Sequence, residues 1–373
     1  MLSAASRGSI LSDCSMKAVI LIGGKALRLR PLTFRRPKAI VPLLARPFLA
    51  TQFELLRRAG ITDIVLALAS LPRRIEATFG DGNAFGVSLR YSVEPKPLGT
   101  GGAIGHAKSL FSEPFVCLNG DSLTDLDIRA LVGTHESAGA TLTLALTPVD
   151  DASPYGLVRT RASRAGGPRH VLSFSEKPDS PEPGEVSVGA YVMDPAIFDF
   201  IPDRGVCSLE HEVFPAVVAA GAPVAAHRHE GYFTDIGVPS RYRQAHRDAL
   251  DGKIRIPGVG RPNPGGVIVD ETASVHPRAR LVGPSLVGPE AQVREEAEIG
   301  PYAVLGRHVR VERGARVKDS ILWAHTRVSE DASVSGAIVG VSSFIGPGAR
   351  LSGAVLGDKS TVAAHSTVPW LDD

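Results

Sequence analysis

The sequence has few cysteines and no excess of charge of either sign. Cys14, Cys117 and Cys207 are its only cysteines in 373 residues, and no two of them form a C-x-x-C pair. Three cysteines without C-x-x-C spacing indicate a reducing compartment and argue against a structural zinc site. We therefore predict that the protein is cytoplasmic. The chain has 41 basic and 39 acidic residues, a formal net charge of +2. This balance argues against nucleic acid or an anionic membrane as a partner.

The sequence also lacks long apolar runs and the composition of a disordered chain. No stretch reaches the roughly 18 apolar residues that indicate a membrane-spanning helix. Hydrophobic residues make up 43% of the chain and charged residues 21%, as in folded domains. A length of 373 residues is typical of two domains. Residues 1–15 are small and polar, so we expect a disordered extension there rather than a secretory signal.

From Met16 onward, apolar strand-like runs alternate with helix-like segments. The run 18–22 is continuous and ends at two glycines, as a buried parallel strand does. Further strands are predicted at 63–68, 88–93, 115–118, 141–146 and 171–174, and helices at 48–58, 71–79 and 103–110. This alternation predicts an α/β domain over 16–252 with a mainly parallel, Rossmann-like sheet. Ligands of such sheets lie beyond the carboxyl ends of the strands.

Near residue 254 the hydrophobic period changes to six. Every sixth residue from Val269 to Val317 is aliphatic, and the column four places further on is mostly small. The aliphatic positions are Val269, Val275, Leu281, Val287, Val293, Ile299, Leu305, Val311 and Val317. A period of six is typical of a parallel β-helix whose aliphatic column points into the coil. The segment 253–373 resembles the left-handed hexapeptide-repeat β-helix.

The β-helix segment admits two functional interpretations. Many such β-helices transfer acyl groups, and His276, His308, His325 and His365 are candidate bases. No long inserted loop interrupts the repeat to form a groove for an acyl carrier. We therefore favour a scaffold for homo-oligomerisation or regulation.

Two basic stretches follow the first predicted strand. The segment 23–33 reads GGKALRLRPLT and the segment 36–42 reads RPKAIVP. Backbone N–H groups at a glycine turn bind phosphate, and nearby cations balance its charge. The stretches match neither the Walker A pattern nor G-x-G-x-x-G. The alternative is a surface loop that is merely basic.

Five further stretches follow in a characteristic order. They are LGTGGA at 98–103, LNGDSLTDLD at 118–127, FSEKP at 174–178, SVGAY at 187–191 and YFTDIGVPSRY at 232–242. Together with the first loop, this order resembles the sugar-1-phosphate nucleotidyltransferases over about residues 16–250. The mannose-1-phosphate guanylyltransferase group, whose long-chain members continue into a β-helix, is most similar. Heptose-phosphate guanylyltransferases and thymidylyl or uridylyl relatives share much of the same pattern.

The resemblance implies a reaction and a set of site residues. An NTP and a sugar 1-phosphate would form an NDP-sugar and pyrophosphate with Mg²⁺ as cofactor. The metal ligands implied are Asp121 and Asp235, and the catalytic cations are Arg28, Lys38 and Lys177. The nucleotide-binding residues implied are Gly23, Gly24, Glu94, Gly99 and Thr100. The sugar-phosphate-binding residues implied are Gly120, Glu176, Lys177, Ser187 and Gly189.

Glu94 permits a prediction about the base. It precedes Gly99 by five residues, where thymidylyl relatives place a glutamine. Guanine presents two adjacent donors on its Watson–Crick edge, and a carboxylate, which only accepts, can take both. Glu94 therefore favours GTP. The alternative is a solvated residue at the rim of the site.

The first loop departs from the family pattern GGxGTRL. Ala26 replaces a glycine and Leu27 replaces a hydroxyl residue, while Ser187 stands where the family usually has asparagine. If position 26 requires a positive φ, its Cβ costs about 1 kcal/mol or more. This departure leaves open a catalytically weak regulatory homologue that binds a nucleotide sugar. A glucose-1-phosphate thymidylyl- or uridylyltransferase and a bifunctional acyltransferase stay open as further alternatives. The sugar itself is not determined by the motifs.

Overall fold

The computed structural model describes residues 16–24, 26–69, 71–162, 167–176 and 180–369. The extension predicted for 1–15, and Lys177, lie outside the described residues. The helices are α1 (Leu49–Arg58), α2 (Pro72–Phe79), α3 (Gly99–His106), α4 (Ile128–Ala138), α5 (Phe214–Ala219) and α6 (Pro239–Leu250). The strands before the β-helix are β1 (Lys17–Ile22), β2 (Pro42–Leu43), β3 (Arg46–Pro47), β4 (Asp63–Leu68), β5 (Ser88–Val93), β6 (Phe115–Asn119), β7 (Ser122–Thr124), β8 (Leu142–Val149), β9 (Gly156–Arg161), β10 (Arg169–Glu176), β11 (Gly184–Met193), β12 (Val224–Arg228) and β13 (Phe233–Asp235).

Nine of these strands form one sheet in the order β5-β4-β1-β6-β11-β8-β12-β10-β9. The half from β5 to β6 is entirely parallel, and β8 pairs with β12 in parallel as well. The pairs around β9, β10 and β11 are antiparallel. The parallel half matters most for the site, because its strands end side by side at one edge of the sheet.

Both faces of this sheet are covered. Successive residues of β1 point to opposite faces: Val19 packs in a cluster with α3 and α5, and Ile20 in a cluster with α1, α2 and α4. A strand that is buried on both faces has to be apolar at every position. This requirement explains why a continuous apolar run, rather than an alternating one, marks β1.

Helix α3 begins earlier than the sequence predicts. The predicted helix covered 103–110, whereas α3 begins at Gly99 and ends at His106. Glycine has a low helix propensity, which hides this start in the sequence. The carbonyl of Cys207 accepts hydrogen bonds from the Gly101 and Gly102 N–H groups at 2.9 and 3.1 Å. A contact with a distant segment thus supports a glycine-rich first turn.

The C-terminal part forms three six-stranded parallel sheets, which confirms the predicted β-helix. Its strands are β14 (Val267–Val269), β15 (Ser274–Val275), β16 (Arg280–Leu281), β17 (Ser285–Val287), β18 (Gln292–Val293), β19 (Glu298–Ile299), β20 (Val304–Leu305), β21 (Arg310–Val311), β22 (Arg316–Lys318), β23 (Ile321–Leu322), β24 (Arg327–Val328), β25 (Ser333–Ser335), β26 (Ile338–Val339), β27 (Phe344–Ile345), β28 (Arg350–Ser352), β29 (Val355–Leu356), β30 (Thr361–Val362) and β31 (Thr367–Val368). The aliphatic column from Val287 to Val317 is buried inside the coil. Val269, in the first coil, is 40% exposed.

One sheet of the β-helix packs against the α/β domain. This sheet has the order β14-β17-β20-β23-β26-β29. Its outward residues Val304 and Ile338, together with Trp323 directly after β23, share an apolar cluster with Tyr242 of α6 and Leu29 of the loop after β1. The two domains therefore have a common core at this face.

The turn after β1 holds Ala26 in a left-handed backbone conformation, with φ 46° and ψ 45°. The Ala26 carbonyl accepts hydrogen bonds from the Thr33 hydroxyl at 2.8 Å and from the Leu29 N–H at 3.2 Å. The condition anticipated from the sequence is thus met, because position 26 does adopt a positive φ. An alanine there carries a steric cost that glycine does not.

Ala26→Gly should therefore raise the free energy of unfolding by about 0.5–1 kcal/mol, because it removes the strain of a Cβ at positive φ. Urea denaturation monitored by circular dichroism measures the change. The matched control is Ala77→Gly at an exposed position inside α2, which should lower the free energy of unfolding by about 0.5–1 kcal/mol. Destabilisation by both variants would contradict the strain assigned to Ala26.

Candidate active site

A cavity of about 620 Å³ opens at the carboxyl ends of β1, β4, β5 and β6. Residues that follow each of these strands line it, as expected for an α/β sheet. The predicted site residues among them are Gly23, Gly24, Arg28, Lys38, Glu94, Gly99, Thr100, Gly120 and Asp121. Segments far apart in sequence thus meet in one cavity.

Gly120 brings the end of β6 against β1. Its N–H donates to the Leu21 carbonyl at 2.9 Å, and a Cβ at this position would lie 2.6 Å from that carbonyl oxygen. No side chain fits so close an approach, so glycine is required here. The approach places Asp121, the next residue, at the cavity.

The two predicted metal ligands lie on adjoining backbone segments. Strand β13 pairs with β7, which sets Asp235 opposite Ser122. The Ile236 N–H donates to the Asp121 carbonyl at 3.2 Å. Although the two aspartates are 114 positions apart in sequence, this short sheet places them side by side.

Cations of the chain surround these two carboxylates. Lys38 Nζ lies 2.7 Å from Asp121 Oδ2, and Arg241 contacts Asp235. A Cβ added to Gly237 would lie 3.3 Å from Arg28 Nη2, 3.6 Å from Lys38 Nζ and 2.6 Å from the near carboxylate oxygen of Asp235. Arg28, Lys38 and Asp235 therefore converge around one glycine, whose missing side chain leaves them room.

The oxygen ligands at this position suit a hard divalent cation whose remaining ligands come from water and substrate. Asp121 and Asp235 offer carboxylate oxygens, the ligands that Mg²⁺ prefers. Within the described residues, no group of three or more His, Cys, Asp or Glu side chains forms a preformed metal centre. Mg²⁺ commonly binds through one or two carboxylates together with waters and substrate phosphates, and this pair fits that pattern.

Glu94 carries a buried acceptor without a partner. The residue is 6% exposed, so the alternative of a solvated rim residue is wrong. Its Oε2 accepts the Leu98 N–H at 2.7 Å, whereas its Oε1 is buried and has no hydrogen-bond partner. Burial raises the pKa of this carboxyl, and the Leu98 N–H lowers it to a smaller extent. An unsatisfied buried acceptor is costly unless a ligand supplies the donor.

Gly99 and Thr100 contact the segment 207–210. Gly99 has a φ of 77°, and a Cβ there would collide with the Cys207 carbonyl. The Thr100 hydroxyl donates to Glu210 at 2.7 Å and accepts the Leu209 N–H at 2.8 Å. The Thr100 side chain thus holds the segment 207–210 by hydrogen bonds, and the same residue lines the cavity.

The predicted sugar residues Glu176, Ser187 and Gly189 lie on β10 and β11, outside the lining of the cavity. The Ser187 hydroxyl accepts the Gly189 N–H at 3.2 Å and donates to the Tyr191 hydroxyl at 3.2 Å. Gly189 has a φ of 72°, and a Cβ there would lie 2.9 Å from the Cβ of Asn119. This part of β11 therefore adjoins the end of β6.

Three residues that the sequence interpretation did not single out support the site. Asn119 lines the cavity, and its Oδ1 is buried without a partner. Buried Gln52 donates through Nε2 to the carbonyls of Asn119 at 2.7 Å and Ser122 at 3.0 Å. Arg241 stacks over the Tyr155 ring at 4.9 Å while it contacts Asp235. Asn119 and Arg241 stand within the quoted motifs, whereas Gln52 had no signal beyond its position in α1.

The candidate acyl-transfer histidines lie along the β-helix. His308 stacks on His325 with ring centroids 4.8 Å apart, and its Nε2 lies 3.2 Å from a carboxylate oxygen of Glu290. His276 accepts the Arg278 N–H at 3.2 Å. These contacts tie His308 and His276 to neighbouring residues of the coils.

Helices that are long and apolar enough to cross a membrane do not occur in the described part of the chain. Residues 17–252 match the family model for nucleotidyl transferases, and residues 281–369 match the model for the GMPPB C-terminal domain.

The chain is similar to several known proteins. It is 35% identical over 308 residues to a mannose-1-phosphate guanylyltransferase of Mycobacterium tuberculosis, with 81% of this chain and 82% of that protein covered. It is 31% identical over 344 residues to a UTP–glucose-1-phosphate uridylyltransferase of Synechocystis, with 83% and 87% covered. The structure of HddC from Yersinia pseudotuberculosis with GMP-PN is 28% identical and superposes with a TM-score of 0.53, over 62% of this chain and 99% of that one. The resemblance read from the motifs is confirmed, and the chain belongs to the nucleotidyl transferase family.

Proposed function

We propose that the protein transfers the guanylyl group of GTP to mannose 1-phosphate, which forms GDP-mannose and releases pyrophosphate. The observation that carries this proposal is one cavity lined by two chemically distinct groups of residues. One group consists of a carboxylate and cations, in which Lys38 and Asp121 lie 2.7 Å apart. The other group includes Glu94, whose Oε1 is a buried acceptor without a partner. Relatives named as mannose-1-phosphate guanylyltransferases support this choice of sugar and base.

The reaction requires neutralisation and alignment of two polyanions. A phosphate oxygen of the sugar 1-phosphate attacks the α-phosphorus of GTP in line, and the new P–O bond forms as the bond to pyrophosphate breaks. The substrate supplies the nucleophile, so no side chain needs to form a covalent intermediate. Arg28 and Lys38 line the cavity and would bind the triphosphate where negative charge develops.

Asp121 and Asp235 would hold Mg²⁺ beside Arg28 and Lys38. The ion, when bound, neutralises phosphate charge and holds the two reactants together. Lys38 contacts Asp121 in the structure and would bind phosphate when that carboxylate serves as a metal ligand. We assign sugar-phosphate binding to Gly120, Glu176, Ser187 and Gly189 on the family motifs. Lys177 is assigned on its motif alone, because it lies outside the described residues.

Glu94 would read the base. Two acceptors on one carboxylate suit the adjacent N1–H and N2–H donors of guanine, and Oε1 is buried without a partner. Gly23 lies beside this oxygen, because a Cβ there would be 3.9 Å from Oε1, and its missing side chain would leave that space to the base. Gly24, Gly99 and Thr100 complete the nucleotide-binding set as other lining residues of the same cavity.

We further propose that residues 16–252 form the catalytic domain, and that the predicted domain 253–373 is a β-helix through which the protein assembles as a homo-oligomer. Residues 370–373 of this prediction lie outside the described residues. Outward residues of the two sheets that do not pack on the catalytic domain, such as Arg310 and Arg316, are exposed. The free, buried thiols Cys117 and Cys207 are in keeping with a cytoplasmic location.

Replacement of either metal ligand tests the proposed chemistry. Asp121→Asn and Asp235→Asn should each lower kcat/KM on the order of 100-fold or more, because each removes a charged ligand at the phosphates. Pyrophosphate release from GTP and mannose 1-phosphate with Mg²⁺ is the measurement. The control Asp203→Asn changes an exposed aspartate in a loop and should retain full activity. Wild-type rates in both site variants would rule out the metal assignment.

Replacement of Glu94 tests the base. Glu94→Gln keeps the size of the side chain but loses an acceptor, so kcat/KM for GTP should fall about 10- to 100-fold relative to that for UTP or dTTP. Steady-state kinetics with each nucleotide measure the ratio. The control Glu113→Gln, at an exposed position before β6, should leave the ratio unchanged. An unchanged ratio in Glu94→Gln would remove this residue from base recognition.

The strained turn favours a second candidate function, a catalytically weak homologue that binds a nucleotide sugar and regulates a partner. Its support is Ala26 at a φ of 46°, with Leu27 exposed beside it. Ala26→Gly/Leu27→Thr restores the family pattern and distinguishes the two functions. A regulatory homologue should gain on the order of 10-fold or more in turnover, because each 1.4 kcal/mol changes a rate about tenfold. An active enzyme should gain less than about threefold in the same pyrophosphate assay.

A further inference from the structure

The β-helix contacts the loop that carries the catalytic cations. This loop, residues 23–48, connects β1 to α1. Its buried residues Leu29 and Leu32 pack in one cluster with Trp323 of the β-helix. The backbone of Gly357 lies so close that a Cβ there would be 3.3 Å from the Pro31 side chain. The cavity therefore lies on one side of the loop, and the β-helix on the other.

Hydrogen bonds fasten the C-terminal part of the same loop. The Trp323 Nε1–H donates to the Tyr242 hydroxyl at 3.1 Å, and that hydroxyl donates to the Pro42 carbonyl. His246 Nε2 lies 3.2 Å from the same carbonyl. Burial lowers the pKa of His246 to about 3, so its imidazole is neutral and donates its one N–H here. The β-helix reaches the loop through α6 as well as directly.

Arg36 joins the two sides of the loop. It lines the substrate cavity, while its guanidinium carbon lies 5.5 Å from the centre of the Trp323 ring. Its Nη2 lies 3.6 Å from Asp358 Oδ2, and its Nε is buried without a partner. Asp358 is itself held, because its Oδ1 accepts the Val341 N–H at 2.9 Å. One oxygen of Asp358 is thus fixed to the β-helix, and the other faces Arg36.

We propose that Asp358 and Trp323 are positioning residues for Arg36, and that Arg36 binds substrate phosphate. This inference rests on the proposed nucleotidyl transfer. A free arginine loses side-chain entropy when it is immobilised by a ligand. Contacts with the β-helix already immobilise Arg36, so less side-chain entropy is lost when substrate binds. Asp358 also offsets the repulsion that Arg36 would feel from Lys38 and Arg28 in the empty cavity. The β-helix thereby completes the active site.

The alternative is that Arg36–Asp358 merely joins the domains. The chain offers a matched comparison, because Arg247 of α6 and Asp319 of the β-helix form a second ion pair between them, with Nε and Oδ1 2.8 Å apart. Neither residue of this second pair lines the cavity. Asp358→Asn and Asp319→Asn therefore each remove one carboxylate charge from the same domain interface, but only the first affects Arg36.

The experiment compares Asp358→Asn, Asp319→Asn, Arg36→Ala and the double variant Arg36→Ala/Asp358→Asn in the full chain. Pyrophosphate release gives kcat and KM for GTP, calorimetry gives GTP affinity with Mg²⁺, and thermal unfolding gives Tm. We expect Asp358→Asn to raise KM and Kd for GTP about 3- to 10-fold with kcat within twofold. Asp319→Asn should leave KM and Kd for GTP within twofold of the wild-type values. The double variant should match Arg36→Ala, because Asp358 acts only through Arg36.

The outcomes separate this inference from the proposed function. An active wild-type protein in which Asp358→Asn and Asp319→Asn behave alike, or in which the double variant loses more than Arg36→Ala, overturns the positioning role. A wild-type protein that neither reacts with GTP nor binds it overturns the proposed function, and the inference with it. The variants Trp323→Phe and Trp323→Leu test the ring separately. Both remove the Nε1–H donor, but only Trp323→Phe keeps an aromatic ring beside Arg36. If Tm is unchanged, KM for GTP should rise less in Trp323→Phe than in Trp323→Leu, and equal KM values would contradict a role for the ring.

Discussion

The loop between β1 and α1 lies between the end of the sheet and the face of the β-helix, and the candidate site depends on this arrangement. The loop places Arg28 and Lys38 beside two carboxylates. Cations concentrated in this way repel one another, so the loop would not hold them there unaided. The apolar cluster around Leu29, Leu32 and Trp323 supplies the compensating burial. A sequence of modest net charge thus supports a locally dense set of charges.

Opposite charges are paired at the site in a way that suits exchange with substrate. Lys38 contacts Asp121, and Arg241 contacts Asp235. The Asp121 side chain is 43% exposed, whereas those of Lys38, Arg241 and Asp235 are 14%, 29% and 17% exposed, so water screens these pairs only in part. A metal ion and phosphates would provide new partners for all four groups. In the structure these ion pairs therefore neutralise the charges that substrate and metal would otherwise neutralise.

Backbone constraints determine which residues can stand around the cavity. Gly120 is needed because β1 passes too close for a side chain, and Gly189 because β11 turns at a positive φ beside β6. Ala26 occupies the same backbone region with a side chain. This side chain therefore stands at a backbone conformation that favours glycine.

The sequence by itself determined the two kinds of architecture and the family. A strand buried on two faces has a continuous apolar run, as in β1, and a coil with an apolar interior has a period of six, as from Val287 to Val317. Both patterns can be recognised in the sequence because they depend only on which nearby positions face the core. Tertiary structure alone decided the early start of α3, the burial of Glu94 and the contact of Arg36 with Asp358. Each of these depends on segments far apart in the chain, and no local period records which distant backbone or charge will lie alongside. The short sheet of β7 and β13 is the same case, since Asp121 and Asp235 were recognised as motifs but became neighbours only through strand pairing.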